Sequence, residues 1–195
     1  MGDARLDPPD RFHDLVASPL GELLLLGDGR SLTGLYMQDG PRPAPVGGAR
    51  SPGAAPFPAV RAQLGEYFAG ERREFELALA ATGTDFQRRV WDELARVALG
   101  ETITYGDLAR RIGAAGAARA VGSANARNPI SVVIPCHRLV GSGRELTGYG
   151  GGMERKRFLL ALEAGVAAGA GPPTAITSPS GSSSPAPRRR RGGPG

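Results

Sequence analysis

The sequence predicts an α+β protein, in which a small N-terminal α/β domain precedes a mostly helical C-terminal domain. Three observations carry this prediction. Residues 12–37 group their apolar side chains in short runs typical of strands, and residues 84–127 repeat them at helical spacing. The length of 195 residues suffices for two small domains. We place the domains at residues 1–80 and 81–166, and expect the Gly/Pro/Ser/Arg-rich tail, residues 167–195, to be disordered.

Three strands are expected near the N-terminus, at Phe12–Ala17, Glu22–Gly27 and Leu32–Met37. The last two are joined by Asp28-Gly29, a dipeptide that tolerates the positive φ of a tight hairpin. The Pro/Gly/Ala-rich stretch Gly40–Pro58 is predicted to be an exposed loop. A short helix marked by Val60, Leu64, Tyr67 and Phe68 should follow, and then a strand at Glu74–Leu79. This half looks like a scaffold that carries no obvious chemistry.

The C-terminal half opens with a helix start. Thr84 and Gln87 have capping-box spacing, so that hydroxyl and amide can each satisfy a free backbone group. The apolar residues that follow predict a helix over Phe86–Leu99, and Trp91 is expected in the core.

Two shorter helices are predicted next, at Thr104–Ile112 and Ala117–Arg127, on either side of the small-residue turn Gly113–Gly116. The second must end before Asn128-Pro129, because proline disfavours helical geometry in the residue before it. This pattern fits a helix-turn-helix. Tight packing of a helical hairpin through small residues fits equally well.

The charge is divided unevenly along the chain. Residues 1–103 hold eleven arginines against fifteen acidic residues, a net charge of −4, whereas residues 104–169 hold nine basic and four acidic residues, a net charge of +5. The run Arg188–Arg191 adds the rest of the overall +5. The basic C-terminal half is what a polyanion-binding region would show, although a solvated basic face is the more common reason.

The composition argues against a membrane or secreted protein. Apolar runs such as Leu23–Leu26 are far shorter than the roughly 20 residues that cross a bilayer. The N-terminus carries Asp3, Asp7 and Asp10 and lacks the apolar segment of a secretion signal. We therefore expect a cytoplasmic protein that does not bind membranes.

The single cysteine, Cys136, excludes an internal disulfide and a multi-cysteine metal site. It follows an apolar run, Ile130–Ile134, predicted to be a buried strand. Adjacent residues of an extended chain point to opposite sides, so His137 need not touch the sulfur, and a bridging water could carry its proton. A carboxylate could then orient the imidazole. Glu163 is the candidate, at the end of a helix predicted over Met153–Glu163 and closed by Gly165.

Cys136 and Glu163 could each also have a purely structural role. A free cysteine is often a small buried hydrophobic residue, and Glu163 could cap its own helix or face water. From the residues alone, the chain shows thiol chemistry beside a possible nucleic-acid-binding element.

A family resemblance extends this reading. The segment Asn128–Arg138, with Pro135-Cys136-His137-Arg138 at its end, resembles the active-site signature of the O6-alkylguanine-DNA alkyltransferases. Further segments follow that family in order and spacing. They are Phe86–Trp91, Tyr105–Ala109, Arg119–Gly122, Thr147–Gly152, and Arg155-Lys156 through Leu160 and Glu163. The resemblance is strong from about Thr84 to Gly165 and looser over residues 10–80.

The resemblance implies a ribonuclease-H-like N-terminal domain and a suicidal repair reaction. Cys136 would accept the alkyl group from O6-alkylguanine, or from O4-alkylthymine, once per molecule. His137 would act as the base through water, Glu163 would orient it, and Asn128 would tie the helix-turn-helix to the active-site segment. No cofactor and no metal are implied, since the cysteines that hold zinc in some relatives are absent.

It also implies a way to reach the damaged base in double-stranded DNA. Arg119 would enter the duplex from the minor groove and fill the gap left by the flipped guanine. Tyr105 would press on the phosphate and donate to the purine, and Tyr149 would wall the pocket. The Gly150 N–H would approach O6. Supporting DNA contacts are expected from Ala120, Gly122, Ser123 and Arg127, and pocket contacts from Ser131 and from the carbonyls of Cys136 and Leu139.

The chain departs from the family pattern at two pocket positions. Gly150 replaces a serine of some relatives, which keeps the backbone donor but changes the polarity of the pocket. Ser131 replaces a proline of some relatives, so the pocket could be roomier and accept bulkier alkyl groups. We expect a monomer, with side-by-side binding on DNA left open. The Arg188–Arg191 tail could add affinity for phosphates or could simply be a solvated extension.

Two functions of other classes compete with repair. One is a protein that recognises damage without removing it, although such proteins lack the cysteine that this chain retains. The other is a thiol hydrolase using Cys136 and His137, which would leave Arg119 and Tyr105 without roles.

Overall fold

The computed structural model describes residues 12–41, 51–52 and 56–171. These form a mixed α+β structure, with a sheet and one helix in the N-terminal half and four helices in the C-terminal half, as predicted. Apart from residues 167–171, the predicted disordered tail lies outside the described residues.

The N-terminal sheet has four strands in the order β3-β2-β1-β4. β1 (Phe12–Ser18) pairs antiparallel with β2 (Gly21–Gly27), and β2 pairs antiparallel with β3 (Leu32–Met37). All three strands were predicted.

The turn between β2 and β3 has the predicted form. The Asp28 carboxylate accepts the backbone N–H groups of Arg30 and Ser31 at 2.8 and 2.7 Å, and Gly29 has a φ of 98°. A side chain that caps its own turn in this way fixes the hairpin locally.

The predicted loop Gly40–Pro58 is only partly a loop. β4 (Ser51–Pro52) pairs parallel with β1, and α1 (Phe57–Phe68) already begins at Phe57. Pro58 lies in the first turn of α1, where a missing N–H costs no helical bond. Residues 42–50 and 53–55 lie outside the described residues.

The predicted strands at Glu74–Leu79 and Ile130–Ile134 are wrong, and both segments lie along the outer edge of β3. Leu32 pairs with the segment around Leu79, and Leu35 pairs with the segment around Ile130, each through an isolated bridge. Because two segments share one short edge, neither Glu74–Leu79 nor Ile130–Ile134 forms a strand. The second turns back on itself, with Val132 at a φ of 72° and the Ile134 N–H donating to the Ile130 carbonyl at 2.9 Å.

The C-terminal half begins with α2 (Asp85–Ala95) and the predicted capping box. The Thr84 hydroxyl accepts the Gln87 N–H at 3.3 Å, and the Gln87 side chain accepts the Thr84 N–H at 2.9 Å. Trp91 is buried, as expected, and its indole N–H donates to the Ala124 carbonyl at 3.0 Å. The helix ends four residues before the predicted Leu99, as the chain approaches a turn at Gly100.

Two short helices come next, α3 (Tyr105–Arg111) and α4 (Ala118–Ala126). The Thr104 hydroxyl caps α3 by accepting the Asp107 N–H at 3.1 Å. The strand β5 (Ile103–Thr104) precedes α3 and pairs with β6 (Leu139–Val140), directly after Cys136–Arg138. This pairing attaches the start of α3 to the segment that carries the cysteine.

The last helix, α5 (Met153–Ala167), is longer than predicted. Gly165 lies inside it, and the glycine with positive φ that follows the helix is Gly169, at 74°. Glu163 therefore sits within α5 rather than at its end. In the described part of the chain, none of the helices has the length and apolar character needed to cross a membrane.

Candidate active site

A cavity of about 520 Å³ opens between the two halves of the described structure. Met37 of β3 lines one side, and the glycine-rich 148–151 loop and α4 line the others. Gly151 allows this closure, because a Cβ there would lie 2.2 Å from the Met37 sulfur. The cavity thus needs the N-terminal domain as well as the C-terminal one.

Cys136 lines this cavity and is only 5% exposed. It begins a 3-10 turn, Cys136–Arg138, and does not end a strand. In such a turn successive side chains diverge by about 120°, so Cys136, His137 and Arg138 point in three directions. The expected separation of His137 from the thiol is found, but it arises from this turn and not from an extended chain.

The surroundings of Cys136 have opposing effects on the pKa of its thiol. Burial raises the pKa of Cys136, whereas the nearby side chains of Asn128 and Ser131 lower it, as does the positive charge of Lys156 to a smaller extent. Burial prevails, so the thiol is protonated at neutral pH. A nearby base is therefore needed to form the thiolate.

His137 and Glu163 supply a candidate base and its partner. Both are fully buried, and His137 Nε2 lies 2.8 Å from Glu163 Oε1. Burial acts to raise the pKa of Glu163, but hydrogen bonds from His137 and Arg138 outweigh it and hold that pKa well below its usual range. An ionised Glu163 accepts the Nε2 proton, which leaves His137 Nδ1 as a bare acceptor.

His137 is uncharged and its Nδ1 is unpaired in the described structure, so this nitrogen is able to accept a proton. Burial lowers its pKa, and the opposing effect of Glu163 does not fully offset this, so the imidazole is neutral at neutral pH. Its Nδ1 is buried and has no hydrogen-bond partner among the described residues.

Two further residues, absent from the sequence predictions, complete the surroundings of Glu163. Arg138 donates to both carboxylate oxygens, from Nε at 2.9 Å and from its second terminal nitrogen at 2.8 Å. Tyr67, from α1 of the N-terminal domain, donates its hydroxyl to Oε1 at 2.7 Å. The N-terminal half, predicted to be a scaffold without obvious chemistry, therefore supplies one hydrogen bond to this buried cluster.

Asn128 holds the turn that precedes Cys136. Its side-chain N–H donates to the Ile134 carbonyl at 2.8 Å, and its oxygen accepts the Ile130 N–H at 3.0 Å. Asn128 follows α4 directly, so it links that helix to the cysteine-bearing turn. Ser131 lies in this turn and lines the cavity.

The predicted DNA-contacting residues lie mainly on one exposed face of α4. Arg119, Ala120, Ser123 and Arg127 are exposed, and Arg127 donates to the Ser123 carbonyl at 3.1 Å. Gly122 is half-buried under the ring of Tyr105, and a Cβ there would approach that ring to 3.3 Å. The small side chains of α4 thus give Tyr105 room beside the cavity.

Both predicted tyrosines line the cavity. The Tyr105 hydroxyl lies 2.9 Å from the Thr147 hydroxyl. Burial, and after it the neighbouring Cys136, raise the pKa of Tyr149 well above its ordinary value. Gly150 also lines the cavity.

Leu139 is placed differently from the other predicted pocket residues. Its side chain is fully buried in the core and does not line the cavity. Its carbonyl accepts from the Lys156 ammonium at 2.6 Å, and that ammonium also donates to the Thr147 carbonyl at 2.9 Å. Lys156, another residue that was not among the predicted site residues, thereby joins α5 to β6 and to the segment that leads into the 148–151 loop.

No group of three His, Cys, Asp or Glu side chains in the described ranges lies close enough together to hold a metal ion. The structure thus places a thiol at the cavity and, on the next residue, a buried histidine hydrogen-bonded to a carboxylate.

Comparison with known families accounts for both halves. Residues 12–81 match the ribonuclease-like domain of 6-O-methylguanine DNA methyltransferase, and residues 85–165 match its DNA-binding domain. The chain belongs to the 6-O-methylguanine DNA methyltransferase family.

Relatives in this methyltransferase family come from bacteria and archaea. A methylated-DNA–protein-cysteine methyltransferase of Mycolicibacterium paratuberculosis is 52% identical over 149 residues, covering 76% of this chain and 89% of the relative. The protein of that name from Methanosarcina acetivorans is 42% identical and covers 78% of this chain and 97% of its own. The name of these two relatives describes methyl transfer from DNA to a protein cysteine.

Solved structures of this family share the fold. The chain resembles Mycobacterium tuberculosis OGT in complex with DNA, with a TM-score of 0.74 and 48% identity over 80% of this chain and 94% of that one. The methyltransferase of Pyrococcus kodakaraensis aligns with a TM-score of 0.54 and 26% identity, over 76% and 95% of the two chains.

The methyltransferase site holds more residues than the sequence patterns indicated. Arg138 and Lys156 could have been suspected, since each stands in a quoted motif as a cation in an apolar segment. Tyr67 gave no signal, because it reads as one of several apolar residues on α1. Its contact depends on how the two domains pack.

Proposed function

We propose that this chain repairs DNA by moving an alkyl group from O6 of guanine, or from O4 of thymine, to the sulfur of Cys136. The observation that carries the proposal is the position of Cys136. Its thiol meets a cavity large enough for a base, and the His137–Glu163 pair lies behind it.

The reaction is a single displacement. His137 takes the thiol proton through a water molecule, and the Cys136 thiolate attacks the alkyl carbon. A sulfur–carbon bond forms as the carbon–O6 bond breaks, and the electron pair leaves with the guanine, which takes up one proton and departs neutral. A donor such as the Tyr105 hydroxyl would favour this departure by stabilising the developing charge.

The product is a thioether, which water does not reverse. Cys136 is the only cysteine of the chain, so no second thiol can displace the alkyl group. We therefore propose one turnover per molecule.

Access to the base requires that the nucleotide leave the stack, at a cost of a few kcal/mol. We propose that α3 and α4 act as a helix-turn-helix in the minor groove, where contacts depend little on sequence. Arg119, exposed at the second position of α4, would fill the gap left by the flipped base. The relative from Mycobacterium tuberculosis has been solved with DNA, which supports DNA binding.

The rest of the proposal concerns the protein as a whole. We propose a monomer in the cytoplasm, acting on double-stranded DNA without a cofactor. The tail carrying Arg188–Arg191 is left without a role.

The proposal is tested by mixing the full chain with a duplex containing O6-methylguanine and measuring intact and peptide masses. We expect a gain of about 14 Da, the mass of a methylene, on the peptide that contains Cys136, with one methyl per protein. Cys136→Ser is the matched control and should show no gain. Multiple turnovers on small esters would instead indicate a hydrolase, and lesion binding without a mass gain would indicate recognition alone.

A further inference from the structure

Two hydroxyl groups meet where the start of α3 approaches the glycine-rich 148–151 loop. The Tyr105 hydroxyl lies 2.9 Å from the Thr147 hydroxyl, and either oxygen can be the donor. Tyr105 is the first residue of α3, and Thr147 directly precedes Gly148. Both Tyr105 and Gly148 line the cavity that contains Cys136. The pair therefore joins two parts of the cavity wall that are 42 residues apart in the chain.

Both partners of this hydroxyl pair are held in place by other contacts. The Thr147 carbonyl accepts from the ammonium of the fully buried Lys156 at 2.9 Å, and the same ammonium donates to the Leu139 carbonyl at 2.6 Å. The ring of Tyr105 packs over Gly122 of α4, where a Cβ would come within 3.3 Å of it. Because the backbone at Thr147 and the ring of Tyr105 are both fixed, the two hydroxyls have a defined position relative to each other.

The two hydroxyls share one hydrogen, so only one of them donates to the other at a time. The phenol is the more acidic group, which makes Tyr105 the favoured donor in the free protein. When a purine offers an acceptor in the cavity, the Tyr105 O–H can turn towards it. The Thr147 O–H can then donate to the Tyr105 oxygen, because a threonine hydroxyl rotates and is both a donor and an acceptor. Hydrogen bonds in such a chain polarise and strengthen one another.

We infer that Thr147 is a positioning residue for alkyl transfer, whose hydroxyl orients and polarises the Tyr105 hydroxyl towards the departing guanine. The inference rests on the proposed function, in which the Tyr105 hydroxyl stabilises the charge that develops on the purine as the carbon–O6 bond breaks. Thr147 transfers no proton and no group in this role. It only reverses the direction of its hydrogen bond with Tyr105 when the base is bound.

A purely structural role for the pair makes a different prediction. If the hydroxyls only fasten the loop to α3, their loss should slow every substrate alike. If Thr147 acts through the hydrogen bond from Tyr105 to the purine, its loss should have no effect on a base that lacks the accepting ring nitrogen. An O6-alkylguanine has three ring nitrogens that can accept, N1, N3 and N7, and each can be replaced by C–H.

The test uses duplexes of one sequence that carry O6-methylguanine or its 1-deaza, 3-deaza or 7-deaza analogue. Single-turnover rates are followed by the intact mass of the full-length protein. In the isosteric Thr147→Val, the rate on O6-methylguanine should fall by about 5- to 20-fold, as expected for the loss of one hydrogen bond in a partly buried site. On one of the three analogues, Thr147→Val and the wild type should agree within about twofold. Thr147→Ser keeps the hydroxyl and should stay within about threefold of the wild type on all four lesions.

Two further variants make the result specific. Tyr105→Phe should lose its own effect on the same analogue as Thr147→Val, because both act on one purine acceptor. Thr102→Val is the matched control, since the Thr102 hydroxyl accepts from the exposed Arg144 at 3.0 Å, and its rates should stay near those of the wild type.

An equal loss on all four lesions in Thr147→Val would overturn the inference and leave the pair a structural role. Wild-type rates in Thr147→Val would overturn it as well. If the wild-type chain transfers no methyl from O6-methylguanine, the proposed function itself fails.

Discussion

The two sides of Cys136 differ in how completely their polar groups are paired. Behind the thiol, Glu163 accepts five hydrogen bonds, from Tyr67, His137, Gly100 and twice from Arg138. In front of it, Asn125 lines the cavity, and its buried Oδ1 has no donor among the described residues. His137 Nδ1 is also unpaired among the described residues, although Glu163 holds the same ring through Nε2.

We expect the paired groups behind the thiol to position His137, and the unpaired groups in front of it to select substrates. A buried carboxylate with donors on both oxygens, such as Glu163, has one favourable arrangement, so it holds His137 in place before any substrate arrives. Unpaired groups cost free energy in the free protein and become favourable only when a ligand with matching groups enters. Changes behind the thiol should therefore affect chemistry with every substrate, and changes in front should affect which substrates react.

The largest effect is expected for Glu163→Gln. The neutral amide cannot balance the buried Arg138 or hold the Nε2–H tautomer of His137 as strongly. Loss of one partner from a buried ion pair costs about 3–5 kcal/mol. Alkyl transfer should slow by about 10²–10⁴-fold, the usual contribution of a positioned base. Urea unfolding and single-turnover rates measure both effects.

Glu66→Gln is a suitable control, because the Glu66 side chain is 42% exposed and pairs with Arg72 at the surface. Surface pairs contribute little, so stability and rate should stay close to wild type. Equal behaviour of the two variants would show that the buried cluster has no special role.

The next largest effect is expected in front, for Arg119→Ala. Without this side chain the flipped state loses its wedge, so transfer from duplex O6-methylguanine should fall by about 10- to 100-fold. Transfer from a free O6-alkylguanine base, which needs no flipping, should be unchanged. Arg96→Ala removes the same charge at an exposed site on the turn after α2 and should affect neither substrate.

A parallel loss on the free base would contradict this division. It would mean that Arg119 supports the active site and not access to it.

A smaller effect is expected for Tyr67→Phe, which removes one donor from Glu163 and keeps the ring. The loss of one buried hydrogen bond costs about 1 kcal/mol. We expect a rate several times lower on duplex and free base alike, with unchanged affinity for undamaged DNA. Thr84→Ala, which removes a helix cap at a similar cost, should lower stability without lowering the rate. Equal rates for both variants would show that the hydroxyl only aids packing.

The smallest effect expected is a loss of folding stability as the pH is lowered. Burial lowers the pKa of His137 below its usual 6.5. Just below pH 6.5, this histidine therefore binds a proton in the unfolded chain but not in the folded protein. This contribution is complete above pH 6.5 and declines as the pH falls below it. Glu163, whose pKa is also lowered, adds a second decline below its usual 4.5. Urea unfolding between pH 7.5 and 5.5 should show a slope in the wild type that His137→Gln lacks.

Local patterns in the sequence predicted much of the secondary structure of this protein and the position of its cysteine segment. The first three strands, the Asp28-Gly29 hairpin and the Thr84–Gln87 capping box were predicted, because each depends on neighbouring residues only. The segment around Cys136 was also evident, since its residue types are consecutive. The family and the pairing of His137 with Glu163 followed from the same pattern.

Tertiary structure decided the rest. Ile130–Ile134 has the composition of a strand, but β3 offers it one position, because Leu79 already uses the other. Arg138 and Tyr67 meet at Glu163 only through the packing of α1, α5 and the 136–138 turn. Asn125 reads as one polar residue in a small-residue helix until the described structure shows its oxygen buried and unpaired. The reason is common to all three: a pairing partner distant in the chain leaves no periodicity or spacing for the sequence to reveal.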